Sequence, residues 1–183
     1  MFGNSLKTKQ QKASDEKFIN NVVQEAGSRA AAAKEMVALG WKYYERRDLI
    51  TSMKRFNQAW LLDPNNADIY WGFGLILAAQ GDSVKVIEMY DKSLSINPNN
   101  KYIYLNRAHI YEEKGNFGKA IDDYTRAIKI DASEAQFYND RAVAYFHSEQ
   151  YDKSWQDVSK AMELGYNIHP GFLEALEEKG YKK

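Results

Sequence analysis

Apolar side chains recur along this chain at two periods. The short one is helical. Tyr104, Ala108 and Tyr111 fall at i, i+4 and i+7, and Ala120, Ile121, Tyr124, Ala127 and Ile128 line one side of the segment that follows. Gly115-Asn116 separates the two stripes, because glycine readily takes the left-handed position that closes a helix. The long period is 34 residues. Pro64 and Pro98 are one period apart, each followed by two asparagines, and Tyr70, Tyr104 and Tyr138 recur in step. So do Gly40, Gly74, Ala108 and Ala142; Tyr43, Leu77, Tyr111 and Tyr145; Phe56, Tyr90, Tyr124 and Val158; and Ala59, Ser93, Ala127 and Ala161. Gly81 and Gly115 mark a turn midway. The register passes through four units without an insertion, so each unit reads as two helices of about 14 residues. The small residues leave room for the partner helix, and the tyrosine or phenylalanine fills the space beside them.

This pattern resembles the tetratricopeptide repeat (TPR), over residues 33–168 in units 33–66, 67–100, 101–134 and 135–168. The resemblance implies an all-α fold, a right-handed α-solenoid of helix-turn-helix repeats. The stretch Phe56 to Pro64, followed by Tyr70 to Gly74, is similar to segments of bacterial TPR proteins, some of them exported to the envelope. Two departures stand out. The third and fourth units end in Asp131-Ala132 and Gly165-Tyr166 without the terminal proline, and the fourth has Glu149 at the turn glycine and Val158 at the aromatic position. Both are read as local loosening near one end.

The flanks are short. Residues 1–14 are polar and lysine-rich and are expected to be disordered. Residues 15–32 hold an amphipathic helix with the stripe Phe18, Ile19, Val22, Val23 and Ala26, then Ser28 as the cap of the first repeat helix. Residues 169–183 hold a closing helix that His169-Pro170 opens, with Phe172, Leu173 and Leu176 on its apolar side. Both flanks read as lids for a repeat array whose open ends would otherwise aggregate.

Charge and composition narrow the function. With 25 Lys+Arg against 25 Asp+Glu the chain is balanced, and with no cysteine it has neither disulfides nor thiolate metal sites. Its longest apolar run, Ile69 to Ala79, is far below the roughly 20 residues of a membrane span. Met1 to Lys7 lacks the apolar stretch of a leader, so a cytoplasmic location is expected, with the periplasm or envelope as the alternative if a leader was trimmed.

In the TPR family the first helix of each unit lines a concave groove. Carried onto this sequence, the resemblance places Trp41, Tyr44, Trp71, Leu75, Tyr102, Leu105, Asn106, His109, Gln136, Asn139 and Phe146 in a peptide-binding groove. Aromatic anchors of this kind mark interaction surfaces. A family variant grips a terminal carboxylate with a lysine, arginine and asparagine clamp. Here Asn106 sits at the clamp asparagine, but Trp71, Leu75, Gln136 and Asp140 replace the remaining clamp residues, and Asp140 would repel a carboxylate. Gly115 to Ala120 lacks the spacing of a phosphate-binding loop. His109, Glu112, Glu113 and His147 carry no metal motif. Acidic groups among the aromatics argue against nucleic acid. The expected function is a non-catalytic scaffold, without cofactor or metal, holding a peptide or helix of another protein. The alternative is self-assembly through the N-terminal helix or the groove.

Overall fold

The turns of this chain are built from repeated caps. In the computed structural model, which describes residues 7–180, those residues form ten helices: α1 (Lys9–Ala26), α2 (Arg29–Glu45), α3 (Leu49–Leu62), α4 (Ala67–Ala78), α5 (Ser83–Ile96), α6 (Lys101–Glu113), α7 (Phe117–Ile130), α8 (Ala135–His147), α9 (Tyr151–Glu163) and α10 (Pro170–Glu178). Asp48, Asp82 and Asn116, each one period apart, accept a hydrogen bond from the backbone N–H three residues on and start α3, α5 and α7. Asn66 and Asn100 start α4 and α6 by accepting from the backbone N–H two residues on. The residues at these positions in the last unit, Glu134 and Gln150, make no such bond. One position before each second-helix cap lies a left-handed residue: Arg47, Gly81, Gly115 and Glu149 all have positive φ. Two of the four turns therefore hold a side chain where glycine fits without strain.

By their contacts the described residues divide into unit 1, up to Pro98, and unit 2, from Asn99. In unit 1, α2 packs on α3 and α4 on α5, with further contact between α3 and α4, α2 and α4, and α1 and α2. In unit 2, α6 packs on α7, α8 on α9 and α7 on α8. The helices thus pack pairwise in a repeating helix-turn-helix arrangement, all-α as the 34-residue period predicts. None of the described helices is long and apolar enough to cross a membrane.

Rings and small residues set the helix spacing. A Cβ on Gly40 would fall 2.6 Å from the Phe56 ring and one on Gly74 would fall still closer to the Tyr90 ring, so neither position has space for a methyl group. Phe56, Tyr90 and Tyr124 are fully buried. In unit 2 the closing helix completes a core of Tyr138, Ala142, Val158, Ala161, Ile168 and Leu176.

Three features differ from the sequence expectation. The N-terminal helix starts at Lys9 rather than near Asp15, because Thr8 and Gln11 cap each other's backbone N–H; residues 9–14, read as disordered, are helical, while 1–6 lie outside the described residues. Asp123, a charged residue of the kind expected on a solvated helix face, is only 3% exposed and is gripped by Arg107. The turn after α7, read as loosened by its missing proline, is held by Asp131, which accepts from the Ser133 N–H and hydroxyl and from Lys101.

Candidate functional site

The aromatic residues of unit 1 arise from α2 and α4, whose sequences place Trp41 and Trp71 on sides that meet. Their ring centroids are 4.8 Å apart. Trp41 also meets Phe56 at 5.1 Å and Tyr44 at 6.1 Å, both edge-on. This edge-to-face arrangement is the one aromatic quadrupoles favour. Trp41, Tyr44, Trp71 and Leu75 are all half-buried, so each keeps part of its surface in water. The Trp71 Nε1 is itself buried and has no acceptor among the described residues. Beside the cluster, where α2 and α4 end and α3 begins, Tyr44, Glu45, Arg47, Leu49 and Ala79 line a recess of about 440 Å³. The N-terminal helix packs on α2 and α3 within the same unit.

The first-helix face of unit 2 is built differently. Tyr102 is 47% exposed, with the Lys101 ammonium over its ring. Leu105 is buried, so it belongs to the core, whereas Asn106 is half-buried. His109 Nε2 lies 3.3 Å from Asp140 Oδ2, linking α6 to α8. Asn139 Nδ2 donates to Asp140 Oδ1, and the exposed Gln136 reaches the other oxygen at 3.4 Å. Behind this pair the Tyr124 hydroxyl donates to Glu112 at 2.5 Å, and the Tyr124 ring meets His109 edge-on. Phe146 lies 5.5 Å from Phe172 of α10 and 5.4 Å from Tyr151, in the aromatic group that seats the closing helix.

Three titratable groups of this cluster are displaced. The Asp140 carboxylate holds His109 above its ordinary 6.5, against the effect of partial burial. Burial pushes the Glu112 carboxyl above its ordinary 4.5, although the Tyr124 hydroxyl favours its charged form. Burial, then donation to Glu112, drives the Tyr124 hydroxyl upward. Among the described residues no three histidine or carboxylate side chains are arranged to hold a metal ion.

The sequence-named residues therefore separate into two sets. Trp41, Tyr44, Trp71 and Leu75 come together in unit 1, and Tyr102, Asn106, His109, Gln136 and Asn139 share unit 2, while Leu105 and Phe146 serve packing. Asp140, in sequence a misfit for a carboxylate clamp, is the group on which His109, Asn139 and Gln136 converge. Its position one turn from Gln136 and beside Asn139 was the available signal. Deeper in unit 2, Arg107 grips Asp123 and Arg141 grips Asp157 through paired hydrogen bonds of 2.6 to 2.8 Å. Both pairs occupy the same repeat positions, a recurrence of opposite charge at 34 residues that could have been read from the sequence.

Sequence models of the tetratricopeptide repeat match residues 67–100 and 102–133. A search of curated proteins returns no match. Among solved structures, a crystal structure of MamA superposes with a TM-score of 0.68 at 17% identity, covering 88% of this chain and 96% of that one. MamA from Desulfovibrio magneticus RS-1 gives 0.65 at 19% identity, covering 72% of this chain and 75% of that one. PilF of Pseudomonas aeruginosa gives 0.69 at 17% identity, covering 83% and 70% respectively. At such identities the likeness speaks for the fold. Together with the two repeat matches and the 34-residue recurrence of caps, rings and turns, it gives the described residues a tetratricopeptide-repeat fold, with tetratricopeptide repeats at 67–100 and 102–133.

Proposed function

We propose that this protein is a non-catalytic scaffold that holds a peptide or helix of a partner protein against its first-helix faces. The observation that carries the reading is the cluster of Trp41, Tyr44, Trp71 and Leu75, four large apolar side chains left half-exposed on one face of unit 1. Partly exposed aromatics lose little conformational entropy on binding and act as anchors when a partner covers them. The recess beside Tyr44 has room for one further side chain of that partner. On unit 2 the exposed Tyr102, with Gln136 and Asn139, supplies an aromatic contact and amide groups suited to a peptide backbone.

Affinity capture with the full chain, compared with a Trp71→Ala/Tyr102→Ala variant of unchanged far-UV circular dichroism, tests this. Loss of one anchor of this type costs about 2 kcal/mol or more, so capture of the principal partner should fall at least about thirtyfold. Equal capture by both proteins overturns the assignment of these faces. Self-assembly gains less support, because α1 packs on α2 and α3 of its own chain. Light scattering that stays monomeric across concentration would fit the scaffold reading.

A further inference from the structure

The same repeat position, the ninth of each unit, carries Trp41 in unit 1 and His109 in unit 2, one indole and one imidazole. In each case the side chain reaches from one first helix to the next. Trp41 meets Trp71 of α4 through ring contact, which no proton can alter. His109 meets Asp140 of α8 through a polar contact of 3.3 Å. We propose that this second contact is a proton-operated clasp: uptake of a proton by His109 tightens the hold of α6 on α8, and its release loosens that hold, whereas the matching contact in unit 1 does not respond.

The surroundings support the direction. The groups that act on His109 are Asp140 from α8, Glu112 and Glu113 from its own helix, and the Tyr124 ring from α7. Glu112 in turn senses His109, Asp140, His147 and the Tyr124 hydroxyl. All the carboxylates favour the imidazolium, and the neutral imidazole makes only a weaker bond. Because Asp140 raises His109 in the folded chain, the stabilisation is complete below 6.5 and is lost as the pH rises through the raised value. Glu112 acts with the same sign: its burial favours the neutral carboxyl, so ionisation at higher pH works against the folded unit. Over the span in which imidazoles change charge, His109 is the group that firms unit 2.

The test uses the free full chain, so its outcome is separate from whether the first-helix face takes a partner. The three histidines are titrated by NMR in the wild type and in Asp140→Asn, which keeps the shape and removes the charge. Amide exchange protection, corrected for intrinsic rates, is followed in α6 and α8 from about pH 5.5 to about 8, the span over which imidazoles change charge. Helices α2 and α4 are the internal reference. His109 should titrate above 6.5 and drop in Asp140→Asn. Protection in α6 and α8 should fall with rising pH by up to the ratio of the two measured acid constants, and Asp140→Asn should abolish that fall. Should Asp140→Asn not fold, His109→Gln must abolish it instead. Titration of His109 at or below 6.5, or protection that moves no more in α8 than in α4, overturns the proposal.

Discussion

Units 1 and 2 share one repeat but hold it together with different chemistry. At the position where unit 2 buries Arg107 against Asp123, unit 1 has Phe73 and Met89; where unit 2 has Arg141 and Asp157, unit 1 has Leu39 and Arg55. Between first helices, unit 1 uses Trp41 on Trp71 and unit 2 uses His109 on Asp140. Helix approach follows the same division: Gly40 and Gly74 in unit 1 admit the Phe56 and Tyr90 rings at contact distance, whereas unit 2 has Ala108 and Ala142. The repeat thus fixes which positions must be filled and leaves open whether the filling is apolar or ionic. Apolar filling carries no titratable charge, so it is insensitive to pH. Buried ion pairs fix a geometry but leave a costly charge behind if one member is lost.

The sharpest way to break this comparison is to remove one member of a buried ion pair. Asp123→Ala should destabilise unit 2 by about 3 kcal/mol or more, measured as a lowered guanidinium midpoint, because the two charge-assisted hydrogen bonds that the buried carboxylate accepts from Arg107 are lost. Copying unit 1 into unit 2 with Arg107→Phe and Asp123→Met together should recover the parent stability or exceed it. If the double variant is as damaged as the single one, the ionic pair is not interchangeable with the apolar one and the comparison fails.

Helix spacing comes next in size. Gly74→Ala should cost about 1–3 kcal/mol, since its methyl group meets the Tyr90 ring and must push helices apart. In unit 2 the reverse change, Ala108→Gly, should cost only about 1 kcal/mol, the helix-propensity difference. Thermal unfolding of both variants compares them directly. The turns give a smaller effect of opposite sign. Arg47→Gly and Glu149→Gly should each stabilise by up to about 1 kcal/mol, one in each unit, by relieving a left-handed residue.

The smallest effect concerns the turn after α7. Lys101, followed by Ser133, holds the Asp131 carboxyl at about 2, so its contribution is present above 3.8 and is lost as pH falls through about 2. Lys101→Met should bring Asp131 back toward 3.8 by NMR titration. A carboxyl that stays near 2 would show that Ser133 alone holds the turn.

Much of the fold was legible because its determinants are local and repeated. Caps at Asp48, Asp82 and Asn116, glycines at 81 and 115 and the ring at 56, 90 and 124 each act within one hairpin, so their spacing in sequence is their spacing in structure. The site was legible only in part. Leu105 and Phe146 carry the family's groove positions, yet one is buried in unit 2 and the other packs under α10. Position in a repeat tells which way a side chain starts out; it does not tell what a neighbouring helix or lid does with it.

By itself the sequence determined the helix-turn-helix repeat, its four-fold register and the aromatic enrichment of the first helices, because periodicity and capping are properties of contiguous residues. The tertiary structure alone decided that Asp140 would face His109, that Asp123 would be buried beneath Arg107, and that the N-terminal helix would pack on α2 and α3. Those outcomes depend on residues of different helices meeting in space, where desolvation and charge pairing, rather than local propensity, select the partner.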